Sequence, residues 1–330
     1  MSIAEGLKYL FIDEIQNVEN FEEVINAFRE DGDFSIFITG SHSYLLSGEL
    51  ITKLTGRYIE FEMYTLTFEE YIGMKEYLGK EINPNLTKEF DQYILEGGFP
   101  KTLQYDSVED KRTYIKSVIS EILEKDIKRR VKINNVSVFE KVKTYIINNF
   151  GATMSIKNIL NDLENDGCHI KRETLNRYIQ ILIDAKILYK CQRFDLKSRR
   201  SLQGEQKYYL ADLGFYYMTN TDNRINYGPV LENIVFLYAK SKDYEVSVGR
   251  IGKLECDFIL RYAQTEYSYL QITMTIMNSI ETENREYKPL EMIRDNYPKY
   301  LLTRDDIIQK RNGIKHVNIA PFMKDGYLFD

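Results

Sequence analysis

One stretch limits what this chain can fold into more than any other: the apolar run Leu10-Phe11-Ile12, followed by Asp13-Glu14 and then Ile15-Gln16. A short apolar run of this kind reads as a buried strand, and its carboxyl end presents two adjacent carboxylates. Open parallel α/β sheets bind ligands outside the carboxyl ends of their strands. Paired acids at such an edge suit a divalent cation and the polarisation of a water molecule. A second run, Ser35-Ile36-Phe37-Ile38-Thr39-Gly40-Ser41, also ends in small polar residues and predicts a neighbouring strand.

Three later motifs add to this pair: Leu54-Thr55-Gly56-Arg57-Tyr58, Leu66-Thr67-Phe68-Glu69-Glu70-Tyr71 and Gly97-Gly98-Phe99-Pro100. In that order the five motifs resemble the prokaryotic AAA-type ATPases that carry a C-terminal domain of unknown function, and the likeness runs from about Leu7 to the C-terminus. The resemblance implies an α/β fold that begins as a partial P-loop NTPase parallel sheet, with ATP and Mg²⁺ as cofactors. It makes Asp13 the Mg²⁺ residue and Glu14 the water residue, puts Ser41 at the sensor position, and makes Arg57 an arginine finger reading a neighbouring subunit's γ phosphate. A homo-oligomer is therefore one expected partner. Family members carry a Gly-Lys-Thr phosphate loop upstream of the Asp13 strand, and residues 1–12 are too few to hold one. The backbone amides and Lys of that loop cradle the β and γ phosphates, so ATP hydrolysis is expected only of a form that includes it.

With 330 residues the chain can bury substantial cores, and 43% hydrophobic with 28% charged content fits a folded protein of two or three domains. Cys168, Cys191 and Cys256 lack metal-ligand spacing, and three histidines are too few for a His-based site, so reduced thiols in a cytoplasmic protein are expected. No apolar run reaches membrane-spanning length, and no signal-peptide pattern opens the chain. A net charge of −6 confines any nucleic-acid contact to local basic patches.

Three segments follow, 1–105, 106–221 and 222–330. In the first, helices are expected over 21–28, 43–54, 68–78 and 88–95, and alternation over 58–63 predicts one more strand. In the second, helices over 108–131, 137–149, 155–164 and 171–185 precede strands at 187–191 and 207–210, joined through Lys197-Ser198-Arg199-Arg200. Helix, turn, helix and two-stranded wing is the winged-helix order. DNA binding would set Lys171, Arg172, Asn176 and Arg177 in the major groove and Arg199 and Arg200 on phosphates. Winged helices also dock proteins, and exposed charges are commonly only solvated. Lys128, Arg129, Arg130 and Lys132 form another basic cluster, which a helix dipole explains equally well.

In the third segment, a helix after Gly228-Pro229 and strands at 244–248, 254–260 and 269–273 resemble the restriction-endonuclease-like fold that ends the same family. Active nucleases of that fold use a helix Glu, a strand Asp and a strand Glu-X-Lys to bind Mg²⁺ and position water. Glu232 and Asp257 match, whereas Gln271 and Thr273 stand where the Glu and Lys belong. Gln271 still offers a carbonyl oxygen, but Thr273 brings no positive charge, so a fold retained for binding or assembly is expected. The 26 tyrosines are spread over all three segments, which argues against one stacking groove for single-stranded nucleic acid. The expected function is an ATP-binding protein; a nucleotide-independent DNA-binding or protein-interaction module is the alternative, and a metal-dependent nuclease the third possibility.

Overall fold

The computed structural model describes residues 6–15, 18–40, 58–122, 133–198, 200–217, 224–262 and 266–330. The architecture is mixed α/β. Strands β1 (Lys8–Ile12) and β2 (Phe34–Ile38) pair in parallel, Lys8 opposite Phe34 and Ile12 opposite Ile38. Their connection includes helix α1 (Phe21–Glu30), whose apolar stripe puts Phe21 and Ile25, with Ile15, against Ile12, Ile36 and Ile38. The other face of the pair keeps Tyr9, Phe11 and Phe37 exposed, and the Phe11 and Phe37 rings stack at 5.0 Å.

The strand expected over 58–63 does not form. Alternation needs a partner backbone to become a strand, and here one side of the segment is held by side chains instead. Glu62 pairs with Lys186 and accepts from Tyr189 at 3.2 Å, while Ile59, Phe61 and Met63 point into solvent. The helix expected over 43–54 lies outside the described residues.

Helices α2 (Phe68–Tyr77) and α3 (Leu86–Glu96) begin at strong caps. Thr67 and Glu70 form a reciprocal capping box, and Asn85 accepts from the N–H groups of Thr87 and Lys88. Between the helices Lys75 and Glu89 form a buried ion pair at 2.6 Å. Phe68, Tyr71, Phe90 and Tyr93 join a core that runs through the rest of the chain to Phe329, separate from the cluster under β1 and β2. Helix α4 (Val108–Glu121) adds Ile115 to that core, and its Lys111 meets Glu96 of α3 at 2.6 Å.

Next come α5 (Val136–Asn148), β3 (Thr153–Ser155), α6 (Ile156–Asn165) and α7 (Arg172–Asp184), then the antiparallel hairpin β4 (Leu188–Asp195) and β5 (Arg200–Leu210). Strand β3 pairs antiparallel with β5. Four-residue α8 (Gly214–Tyr217) leads towards α9 (Tyr227–Ser241). Strands β6 (Glu245–Ile251), β7 (Leu254–Tyr262) and β8 (Glu266–Ile272) follow as an antiparallel meander. After α10 (Ile280–Met292) come β9 (Lys299–Thr303), β10 (Lys310–Arg311), β11 (Ile314–Asn318) and α11 (Ile319–Lys324). All but β1 and β2 form one sheet in the order β10-β11-β9-β8-β7-β6-β4-β5-β3. The β4–β6 pairing is parallel and short, Arg193 opposite Val248 through Asp195 opposite Arg250. Among the described residues no helix is long and apolar enough to cross a membrane.

A buried carboxyl ties α2 and α3 to this sheet. Asp212 follows β5 and accepts the N–H groups of Gly98 and Gly214, both at 2.7 Å. Leu66 N–H donates to Gly98 O at 2.8 Å, and the Thr65 hydroxyl donates to Ala211 O at 3.0 Å. Gly97, at φ +76°, has no room for a side chain, since a Cβ there would lie 2.0 Å from an Asp212 oxygen. Burial pushes the Asp212 carboxyl up to about 6, against the pull of the two glycine amides. Because its folded value lies above the ordinary 3.8, the neutral carboxyl stabilises the fold fully below that pH, and the contribution is lost as pH rises towards 6. Urea unfolding of wild type should therefore lose on the order of 2–3 kcal/mol between those limits through this group alone. Asp212→Asn should be less stable at low pH, through loss of an amide acceptor, and should lack that component of the slope. Equal slopes in the two proteins would assign the titration to another group.

Candidate functional site

The first candidate site sits at the carboxyl ends of β1 and β2. Asp13 and Glu14 follow the last residue of β1, Ile12, and both are exposed. Glu14 turns the chain at φ +51°. Thr39, one residue past β2, locks the turn: its N–H donates to Ile12 O at 2.9 Å and its carbonyl accepts from Ile15 N–H at 3.0 Å. Its hydroxyl donates to the Asp13 carboxylate and accepts the Glu14 N–H at 3.1 Å. One side chain thus fixes the direction of Asp13 and the backbone of Glu14. An oriented carboxylate beside a hydroxyl at an open sheet edge can take part in holding a hydrated Mg²⁺, which keeps most of its waters. Ser41 and Arg57, expected in the same site, lie outside the described residues. Sequence reading passed over Thr39, although it stands two residues before the residue chosen.

The second candidate site lies where α9 crosses the sheet. Glu232 of α9 meets a residue that no motif flagged, Lys207 of β5; the charge of Asp257 of β7 reaches that lysine, and register sets Gln271 of β8 opposite Asp257. The Lys207 ammonium lies 2.9 Å from Glu232 and 2.9 Å from Glu255 of β7, with a side chain only 6% exposed. Tyr209 donates its phenol to the same Glu232 oxygen at 2.7 Å. Arg193 of β4 reaches Glu255 at 2.7 Å and Glu205 of β5 at 2.6 Å. Asp257 accepts the Ile272 N–H at 2.7 Å, and Gln271 donates its amide to Glu286 of α10 at 3.0 Å. The Gln271 side-chain carbonyl is buried without a donor. Thr273 follows the end of β8, where its N–H donates to Leu302 O at 3.0 Å.

Burial, and then the negative charge of Glu232, lift the Asp257 carboxyl well above the ordinary carboxylate range. For Lys207, burial works against the charge, but Glu232, Asp257 and Glu255 outweigh it and hold the ammonium above the ordinary lysine range. The cluster is therefore built around a fixed cation and a carboxyl whose ionisation burial disfavours. Among the described residues, no three His, Cys, Asp or Glu side chains converge in a way that would hold a metal ion.

The third candidate surface is on α7. Leu175, Tyr178, Ile179 and Leu182 face the core, as their spacing predicts, while Lys171, Arg172, Asn176 and Arg177 are exposed. Glu173 shares the exposed surface. Arg200 is exposed at the start of β5, and the Lys197 and Ser198 amides of the turn before it fold onto Asp195 at 2.8 and 3.4 Å. Arg199 and the cluster of Lys128, Arg129, Arg130 and Lys132 lie outside the described residues.

Two family models match stretches of this chain. Residues 1–72 match the family model described as an AAA domain, and residues 87–224 match a domain of unknown function (DUF8612). An uncharacterized protein of Haemophilus influenzae is 33% identical over 297 residues, which cover 89% of this chain and 72% of that protein. Uncharacterized protein MJ1544 of Methanocaldococcus jannaschii is 31% identical over 268 residues, covering 76% of this chain and 60% of that one. MJ1637 of the same organism is 23% identical over 293 residues, covering 79% and 60%. The chain thus spans about three-fifths to three-quarters of the length of these relatives. It belongs to the same family as the Haemophilus influenzae protein, and its N-terminal part is of the AAA-type ATPase kind.

Proposed function

We propose that this chain is part of an ATP-binding protein of the AAA-type ATPase family, in which Asp13 helps to hold Mg²⁺ on the nucleotide and Glu14 polarises the attacking water. The observation that carries the reading is the Thr39 hydroxyl, which bridges the Asp13 carboxylate and the Glu14 amide at the ends of two parallel strands. Open parallel sheets present ligand-binding groups at that edge, and a strand-end Asp is the usual Mg²⁺ partner in phosphate-loop enzymes. Turnover belongs to a form that also carries a phosphate loop, with Ser41 as sensor and Arg57 acting across a subunit boundary in a homo-oligomer. In such a form Asp13→Ala should lower Mg²⁺-dependent ATP hydrolysis on the order of a hundredfold, as loss of one charge-stabilising group does elsewhere. Glu14→Gln should bind ATP and fail to hydrolyse it. ATPase activity that survives Asp13→Ala unchanged would sink the assignment.

A second reading concerns residues 136–210, whose helices, short strand and hairpin follow the winged-helix order. It is favoured by the exposure of Lys171, Arg172, Asn176 and Arg177 along the helix that precedes the hairpin. We infer that this unit binds duplex DNA through α7 and that Arg199 and Arg200 meet the backbone. The 227–330 unit is a nuclease-like fold that assists binding without cleaving. Replacing both Arg172 and Arg177 by Ala should weaken DNA binding about tenfold or more and relax its sequence preference, because both are assigned to base edges. Retention of wild-type affinity and sequence preference would refute the groove contact and leave protein docking as the use of this helix.

A further inference from the structure

A nuclease-like fold carries the expectation of a divalent cation held by Glu232, Asp257 and Gln271, and the residues present do not fit one. The reason is Lys207, which comes from β5, a strand outside the nuclease-like motif. We propose that the Lys207 ammonium fills the cation position of this cluster, so that the Glu232 and Glu255 carboxylates are open to a divalent cation only when that ammonium is removed.

Geometry carries the proposal first. Lys207 lies 2.9 Å from carboxylates on two different elements, the helix residue Glu232 and the strand residue Glu255. A buried ammonium at hydrogen-bonding distance from two acids leaves no place between them for a cation that needs oxygens at about 2.0–2.6 Å. The Gln271 carbonyl oxygen is buried with no donor. Register puts Gln271 beside Asp257, since Phe258 and Leu270 are opposite one another on antiparallel β7 and β8.

Charge follows the same arrangement: the Lys207 ammonium neutralises Glu232 and shares Glu255 with Arg193, which also holds Glu205. This inference takes from the nuclease-like reading only the expectation of a metal. Its test uses neither DNA nor ATP, so its failure leaves that reading standing.

The test compares wild type with Lys207→Met, which keeps the length of the side chain and removes its charge. Melting temperature is followed against Mn²⁺, and Tb³⁺ binding is followed by luminescence sensitised by Tyr209, whose phenol lies 2.7 Å from Glu232. Wild type should show no saturable response to either ion that depends on Glu232. Lys207→Met should melt lower than wild type and be raised by Mn²⁺ in a saturable manner, and adding Glu232→Gln should abolish that rise. If Lys207→Met does not fold, Lys207→Gln, which retains a polar head, serves in its place. Saturable Tb³⁺ emission from wild type that disappears in Glu232→Gln would overturn the proposal, because the site would then be open with Lys207 in position. A folded Lys207→Met or Lys207→Gln protein whose melting temperature ignores Mn²⁺ would overturn it equally.

Discussion

The parallel pairing of three residues of β4 with three of β6, Arg193 to Asp195 against Val248 to Arg250, is the seam on which the large sheet depends. Without it the hairpin β4–β5 and the meander β6–β7–β8 would be separate sheets. Arg193 stands at the first position of the seam and divides its guanidinium between Glu205 on the hairpin and Glu255 on the meander. A register shift between Gln192 and Arg193 marks this point on β4, whose pairing with β5 resumes at Arg193 opposite Leu202 and runs to Asp195 opposite Arg200. The seam also sets the second candidate site. Lys207 and Glu255 lie on strands that meet only because the sheet is continuous, and their ion pair is a product of that continuity.

A second constraint acts on the helical side. Asp212 collects the amides of Gly98 and Gly214 in the interior, and the Thr65–Leu66 segment is hydrogen-bonded to the same knot through Ala211 and Gly98. The Gly97-Gly98-Phe99-Pro100 motif thereby acquires a physical meaning. Gly97 passes against the Asp212 carboxyl and Gly98 against the Leu66 backbone, where a Cβ would lie 2.5 Å from Leu66 O. Phe99 packs edge-on to Phe215 at 5.5 Å, and Pro100 opens the short 3₁₀ turn Pro100–Gln104. Helices α2 and α3 are held to the main core by a polar contact that tolerates no larger residue, and the aromatic packing follows from it.

Local patterns in the sequence carried much of this fold. The apolar runs placed β1 and β2, and the spacing of Leu175, Tyr178, Ile179 and Leu182 identified the buried face of α7 because a helix repeats every 3.6 residues whatever it packs against. The alternation over 58–63 misled, since period two needs a neighbouring backbone, and the Glu62 contacts with Lys186 and Tyr189 come from residues more than 120 positions away. Lys207 was hidden for a related reason. A lysine was sought two residues after Gln271, on the same strand, whereas the cation arrives from β5, across β4, β6 and β7 in the sheet order. The partner of a buried charge is chosen by tertiary pairing, and spacing along the chain does not encode it.

The chain therefore places similar side chains in two opposite settings. Asp13 and Glu14 stand exposed at the end of a short parallel pair, where the Thr39 hydroxyl and backbone hold their turn. Glu232 on α9 and Asp257 in β7 are largely shielded from water against the nine-stranded sheet, where a carboxyl group must be either ionised and paired or protonated. The first setting lets a cation exchange part of its water shell for a carboxylate with little desolvation. In the second, Lys207 neutralises Glu232 within the fold, and burial disfavours the ionisation of Asp257. Residue type alone would give both pairs the same chemistry; burial separates them, because a cation entering the interior must first displace an ammonium that two carboxylates already hold.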